Sequence, residues 1–197
     1  MKDLPYDLLA LIISIILMII AVIELTQLRK QLNMNKETEC CKMTIDLLLS
    51  WSQNLTSDMS RSRKIVEQFD IEQCKKLFDN ELFEVKPKQY KYICRRIYKR
   101  DPYFLSNRVI KLKPLEVNTL RDDVIKYLNL LESILAARQY GVADDELITK
   151  EFKYLVKPQS GECVLSVFRE AMNDKNSYPA IKKFCEDMNK ISEESDE

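Results

Sequence analysis

Histidine is absent from this chain of 197 residues, and glycine occurs twice, at Gly141 and Gly161. Without imidazole, histidine-based catalytic triads and dyads, histidine metal ligation and histidine pH switching are all excluded. Two glycines twenty residues apart cannot build a Walker loop or a GxGxxG turn, so glycine cradles for phosphate are excluded too. The same scarcity argues against strand-rich folds, which spend glycine at tight turns and bulges, and predicts helices with short connections. The six cysteines (Cys40, Cys41, Cys74, Cys94, Cys163 and Cys185) contain no CxxC pair, so no all-cysteine zinc site is expected. Their scattered spacing does not form a disulfide framework and suits a reducing compartment. Cys40 and Cys41 cannot face one site on a helix, because neighbours point about 100° apart.

What is present begins with residues 8 to 23, LLALIISIILMIIAVI, sixteen positions with one hydroxyl and no charge. As a helix the run rises about 24 Å, slightly short of a hydrocarbon core of about 30 Å. Tyr6 and Leu25 extend it, and modest bilayer thinning absorbs the rest. A cleaved signal peptide would need a basic start and a small-residue cleavage site, whereas Asp3 and Asp7 offset Lys2 and the exit carries Glu24 and Leu25. A buried core helix would carry a polar face. The run is therefore expected to be a retained single-pass anchor. Arg29, Lys30, Lys36 and Lys42 outweigh Lys2 and the terminal amine, which predicts an outward N-terminus and a cytoplasmic C-terminal domain on a cell inner membrane. The sequon Asn54-Leu55-Thr56 is then accidental. Ala10 and Ser14 form a small-xxx-small pair through which two anchors could approach as a homo-oligomer.

Downstream of the anchor (1–27) and a connector (28–36), residues 37–192 are expected to form a helical domain, followed by an acidic tail at 193–197. Met43, Leu47, Leu48 and Trp51 share a face of the first helix. Residues 58 to 83 break near Asp70. YKYICRRIYKR reads as a short helix ended by Pro102, and RVIKLKPLEV as an extended segment stopped by Pro114. The clearest helix has Asn118 as cap, Asp122 and Asp123 in its first turn, and Val124, Tyr127, Leu128, Leu131 and Leu135 as its stripe. Gly141 closes it, Asp144 starts the next, and Pro179 opens the last. The fold class is all-α: an N-terminal transmembrane helix followed by a cytosolic helical bundle.

The zero net charge, with 31 basic and 31 acidic residues, conceals a segregation. From Lys86 to Lys113 ten basic residues face one acid, Asp101. In this segment Lys88, Tyr90, Lys91, Tyr92, Arg95, Arg96, Lys99 and Arg100 are the candidate anion-binding residues. Arginine forks bind phosphate, tyrosines stack on bases, and lysines add diffuse attraction. Three uses compete: a solvated face paired with the acidic remainder, contact with anionic headgroups, or a nucleotide or RNA site. The acidic pairs at 122–123 and 144–145 are explained by helix starts, so no catalytic, metal or cofactor site is expected.

The stretch VIKYLNLLESILAARQYGVADDELI, residues 124 to 148, resembles a family of small bacterial and phage single-pass membrane proteins with an uncharacterised helical cytosolic domain. The resemblance is carried by Leu128, Asn129, Glu132, Arg138, Gly141, Asp144 and Asp145. It implies the anchor-plus-bundle layout and no activity. From the residues themselves, Asn129 and Glu132 lie three apart and can reach each other or a neighbouring helix. The chain is expected to be a non-enzymatic membrane protein whose domain binds a protein partner or an anionic ligand. The alternative comes from a second resemblance, to membrane effectors of bacterial antiviral systems that sense a nucleotide signal and act on the bilayer as oligomers.

Overall fold

The computed structural model describes residues 6–102, 109–156, 162–172 and 177–194. It is all-α, and the chain divides into two units, one ending at Met43 and one beginning at Thr44. The first unit is the bulk of helix α1, Tyr6–Asn54. Every side chain from Leu11 to Ile23 is exposed. This helix is long and apolar enough to cross a membrane. It runs unbroken through the expected connector at 28–36, because nothing there carries proline or glycine.

The second unit starts with the last turns of α1. Thr44 and Trp51 are buried, Leu47 and Leu48 half-buried, a stripe at i, i+3, i+4 and i+7, while Met43 is exposed. The Trp51 ring meets Tyr127 and Phe152 edge-on at 5.6 and 5.1 Å. Thr56, the hydroxyl of the sequon, caps α2 (Ser57–Val66) by accepting the Met59 N–H. Asp70 and Gln73 form a reciprocal capping box that starts α3 (Ile71–Phe78), so the expected break near Asp70 is a helix boundary.

A two-residue antiparallel ladder follows, with Glu84–Val85 (β1) paired to Ile110–Lys111 (β2). Between them lies α4, Pro87–Ile97, with proline in its first turn. The central helix is α5, Pro114–Gln139, which packs against α2, α3, α4, α6 (Asp145–Phe152) and α8 (Pro179–Glu194). Val124, Tyr127, Leu128, Leu131 and Leu135 are all buried. Its start differs from expectation. Pro114 opens the helix instead of stopping the strand before it, since the N–H that proline lacks would have had no partner there. Asp122 and Asp123 therefore lie two turns inside, and Asn118 is not a cap.

Gly141, at φ 65°, follows the α5 C-cap, and Asp144 caps α6 by accepting the Leu147 N–H at 2.8 Å. Glu132 accepts the N–H groups of Ala180 and Ile181 at 2.8 and 2.9 Å, so it satisfies the open N-terminus of α8. Asn129 accepts the Tyr178 hydroxyl at 3.0 Å beside it. The expected polar pair thus reaches a neighbouring helix instead of pairing within itself. Arg138 bridges to Asp145 and Asp187 and lies over the Phe184 ring.

A disulfide joins Cys163, which precedes α7 (Ser166–Ala171), to Cys185 on α8. The spacing, which suggested no disulfide framework, nonetheless yields this one pair, with Cys40, Cys41, Cys74 and Cys94 free. The partners are 22 residues apart, and Cys163 also forms an isolated antiparallel bridge with Val156. Of the expected acidic tail, residues 193 and 194 belong to α8, and the remainder lies outside the described residues, as do Arg108, Pro158 and Gly161.

Candidate anion-binding cleft

Helix α4 turns its residues in two directions. Ile93 and Cys94 are buried, and Lys88, Tyr92 and Arg95 are exposed. Successive helical residues point about 100° apart, so the adjacent arginines separate. Arg95 faces solvent. Arg96 is 8% exposed and faces the interior.

Arg96 is fully partnered. Its guanidinium forms ion pairs with Asp123 on α5 and with Asp58 Oδ2 on α2, the latter at 3.3 Å. Its Nε donates to the Ser62 hydroxyl and the Asp58 carbonyl, both at 3.1 Å. Ser62 in turn donates to Asp123 at 2.5 Å. A buried charge needs such a set of partners to offset lost hydration. Arg96 therefore fastens α4 to α2 and α5 and is not offered to a ligand. Asp123, expected at a helix start, is instead its counter-ion.

Tyr90 is likewise turned inward. Its hydroxyl and that of Tyr98 donate to Glu116 at 3.3 and 3.0 Å, and the Lys113 N–H donates to the same carboxylate at 2.7 Å. Glu116 is fully buried, and these three donors replace its water. Burial pushes the Tyr90 phenol up, with a bond to Cys94 and the Glu116 charge adding to it.

Six of the expected residues remain outward or half-exposed near this end of the domain: Lys88, Lys91, Tyr92, Arg95, Lys99 and Arg100. Lys99 donates to Asp58 at 2.8 Å. That bond, with the charges of Arg96 and Arg61, holds the Asp58 carboxyl below the ordinary carboxylate range. Lys99 sits at φ 54°, a left-handed conformation that ends the helical path. Asp101, two residues on, meets Arg95, with Nε and Nη2 donating to Oδ1 and Oδ2 at 2.5 and 3.1 Å.

Between α2 and α4 lies an open cleft of about 520 Å³, lined by Arg61, Lys64, Ile65, Gln68, Tyr92, Arg95 and the edge of Arg96. Ile65 supplies an apolar floor, and Tyr92, 39% exposed, offers ring surface at the wall. Three exposed cations face the recess, and no acidic side chain lines it. Arg61 reaches Asp58 at 3.8 Å. Lys64 makes no ion pair among the described residues. Arg61 and Lys64 were missed by attention to the basic segment alone. The signal was there at low contrast: Met59, Ser62 and Ile65 define the buried face of α2, which leaves Arg61 and Lys64, three apart, on its open side.

No protein-family model, curated protein or solved structure matches this chain. The resemblance at residues 124 to 148 therefore rests on those residues alone.

Proposed function

We propose that this chain is a membrane-anchored, non-enzymatic binding protein whose helical domain takes an anionic group in the α2–α4 cleft. One observation carries this proposal: Arg61, Lys64 and Arg95 converge from two helices on a single recess that has no carboxylate in its lining. Cations brought together from separate elements attract anions more strongly than the same charges spread over a face. The absent histidine removes the commonest general base and supports a binding role over catalysis.

The test uses the full chain in nanodiscs of neutral lipid, titrated with short RNA, cyclic oligoadenylate and vesicles of anionic lipid. Binding that steepens as salt is lowered, and that weakens in Arg61→Ala with Lys64→Ala, is expected. Equal binding by wild type and the double variant would sink the cleft as the site.

In this proposal α1 spans an inner membrane with its N-terminus outside, because the basic flank of Arg29, Lys30, Lys36 and Lys42 follows the apolar run. The Cys163–Cys185 disulfide favours a second orientation, with the domain on the oxidising side. An antiviral effector role needs two further properties: recognition of a nucleotide, for which Tyr92 beside the cations is suited, and self-association of α1 in the bilayer.

A further inference from the structure

The cation pairs around the cleft are unequal. Arg96 and Asp123 are buried and hydrogen-bonded on several sides, whereas Arg95 and Asp101 are 50% and 55% exposed. An exposed pair contributes little and is readily exchanged. Its geometry is nonetheless a matched fork, two nitrogens of one guanidinium on two oxygens of one carboxylate. A phosphate presents the same pair of acceptors. Asp101, which does not line the cleft, thus holds the nitrogen pair that a phosphate in the cleft would take once Arg95 releases it.

The local charge balance says how many negative charges the replacement should carry. Arg61, Lys64, Arg95, Arg96 and Lys99 are five cations, and their carboxylate partners are Asp58, Asp101 and Asp123. Two positive charges stay uncompensated with Asp101 in place, and three once it leaves Arg95. A phosphate monoester carries about −1.5 to −2 at neutral pH, whereas a phosphodiester or a carboxylate carries one negative charge. Tyr92 borders the Arg95 side of the cleft and offers its ring to whatever group the phosphate bears.

Building on the proposed anion role of this cleft, we infer that it takes a phosphate monoester, and that Asp101 is the internal competitor the phosphate displaces from Arg95. The monoester is either a free molecule or the exposed headgroup of a lipid such as phosphatidic acid, which share this chemistry.

The experiment again uses the full chain in phosphatidylcholine nanodiscs, with calorimetric titration of inorganic phosphate, phenyl phosphate and dimethyl phosphate. A parallel arm compares phosphatidic acid with phosphatidylglycerol in the target vesicles. Asp101→Asn should tighten phenyl phosphate binding about two- to fivefold, the range of an exposed ion pair. Arg95→Ala should weaken it at least about tenfold, as loss of a charged double hydrogen bond does. Affinity should fall between pH 7.5 and 5.5 as the monoester dianion takes up one proton and becomes the monoanion. Binding of soluble phenyl phosphate supports a free ligand, and binding of phosphatidic acid alone supports a headgroup. Unchanged or weaker binding in Asp101→Asn overturns the competitor, and equal affinity for dimethyl and phenyl phosphate overturns the monoester. Those two results leave the anion cleft standing. Failure of every anion, RNA and anionic vesicles included, removes the cleft itself and the inference with it.

Discussion

Arg95 and Arg96 are neighbours in sequence with the same side chain, yet one is 50% exposed on its ion pair and the other is closed in by α2 and α5. Removing Arg96 strands Asp123 without its counter-ion in a site from which water is largely excluded. Arg96→Ala should therefore cost about 3 to 5 kcal/mol, whereas Arg95→Ala should stay within about 0.5 kcal/mol. Thermal melts of the two variants side by side decide it, and equal melting temperatures would mean that Arg96 is not structural. Asp58 makes a pH prediction with a definite sign. Its carboxyl is held low in the folded state, chiefly by Lys99, so the stability it lends is complete above the ordinary value of 3.8 and is lost as pH falls through the lowered value. Asp58→Asn should accordingly narrow the difference in melting temperature between pH 6 and pH 3, and an undiminished acid sensitivity would assign that loss to other carboxylates.

At the scale of elements, α5 is the organiser. Its apolar stripe was legible from spacing alone, because a helix packed on by several others must repeat its buried positions at three and four. Leu131 is fully buried, and Leu131→Ala should cost about 2 to 5 kcal/mol in a chemical melt. The polar residues beside that stripe work differently. Glu132 lies one position on and serves the first N–H groups of α8, 48 and 49 residues away. Glu132→Ala should cost about 0.5 to 2 kcal/mol, the worth of a helix cap, with faster amide exchange at Ala180 and Ile181. Exchange rates unchanged at those two amides would refute the capping role. The boundaries at Asp70, Gly141, Asp144 and Pro179 were equally legible, since caps and left-handed turns act within a few residues. The start of α5 was not. Pro114 satisfies the rules for ending a strand and for opening a helix, and only the packing of Val117 and Leu120 into the core selects the second.

At the scale of the whole molecule, the proposed orientation from the basic flank and the Cys163–Cys185 pair make opposite predictions. Cys41 discriminates, because it is an unbonded, exposed thiol beyond the apolar run. With the N-terminus outside, a membrane-impermeant maleimide should label Cys41 only after lysis, and acid-trapped protein should yield Cys163 and Cys185 as thiols. Labelling of Cys41 in intact cells, together with a trapped Cys163–Cys185 peptide, would reverse the orientation. In the oxidised protein, reduction should lower stability by about 3 kcal/mol through the freed chain between the two cysteines.

The sequence by itself determined the membrane-length apolar helix, the helical class and the exclusion of imidazole chemistry. Each follows from composition or from a periodicity that acts over a few residues. It also marked where charge is concentrated. Tertiary structure alone decided which of those charges are available. Arg96 and Tyr90 were withdrawn to Asp123 and Glu116, 27 and 26 residues away, while Arg61 and Lys64 were brought from another helix to face Arg95. Cys163 and Cys185 were joined in the same way. The physical reason is that a helix's own period settles which residues share a face, whereas the partner of that face depends on how helices distant in sequence pack around α5.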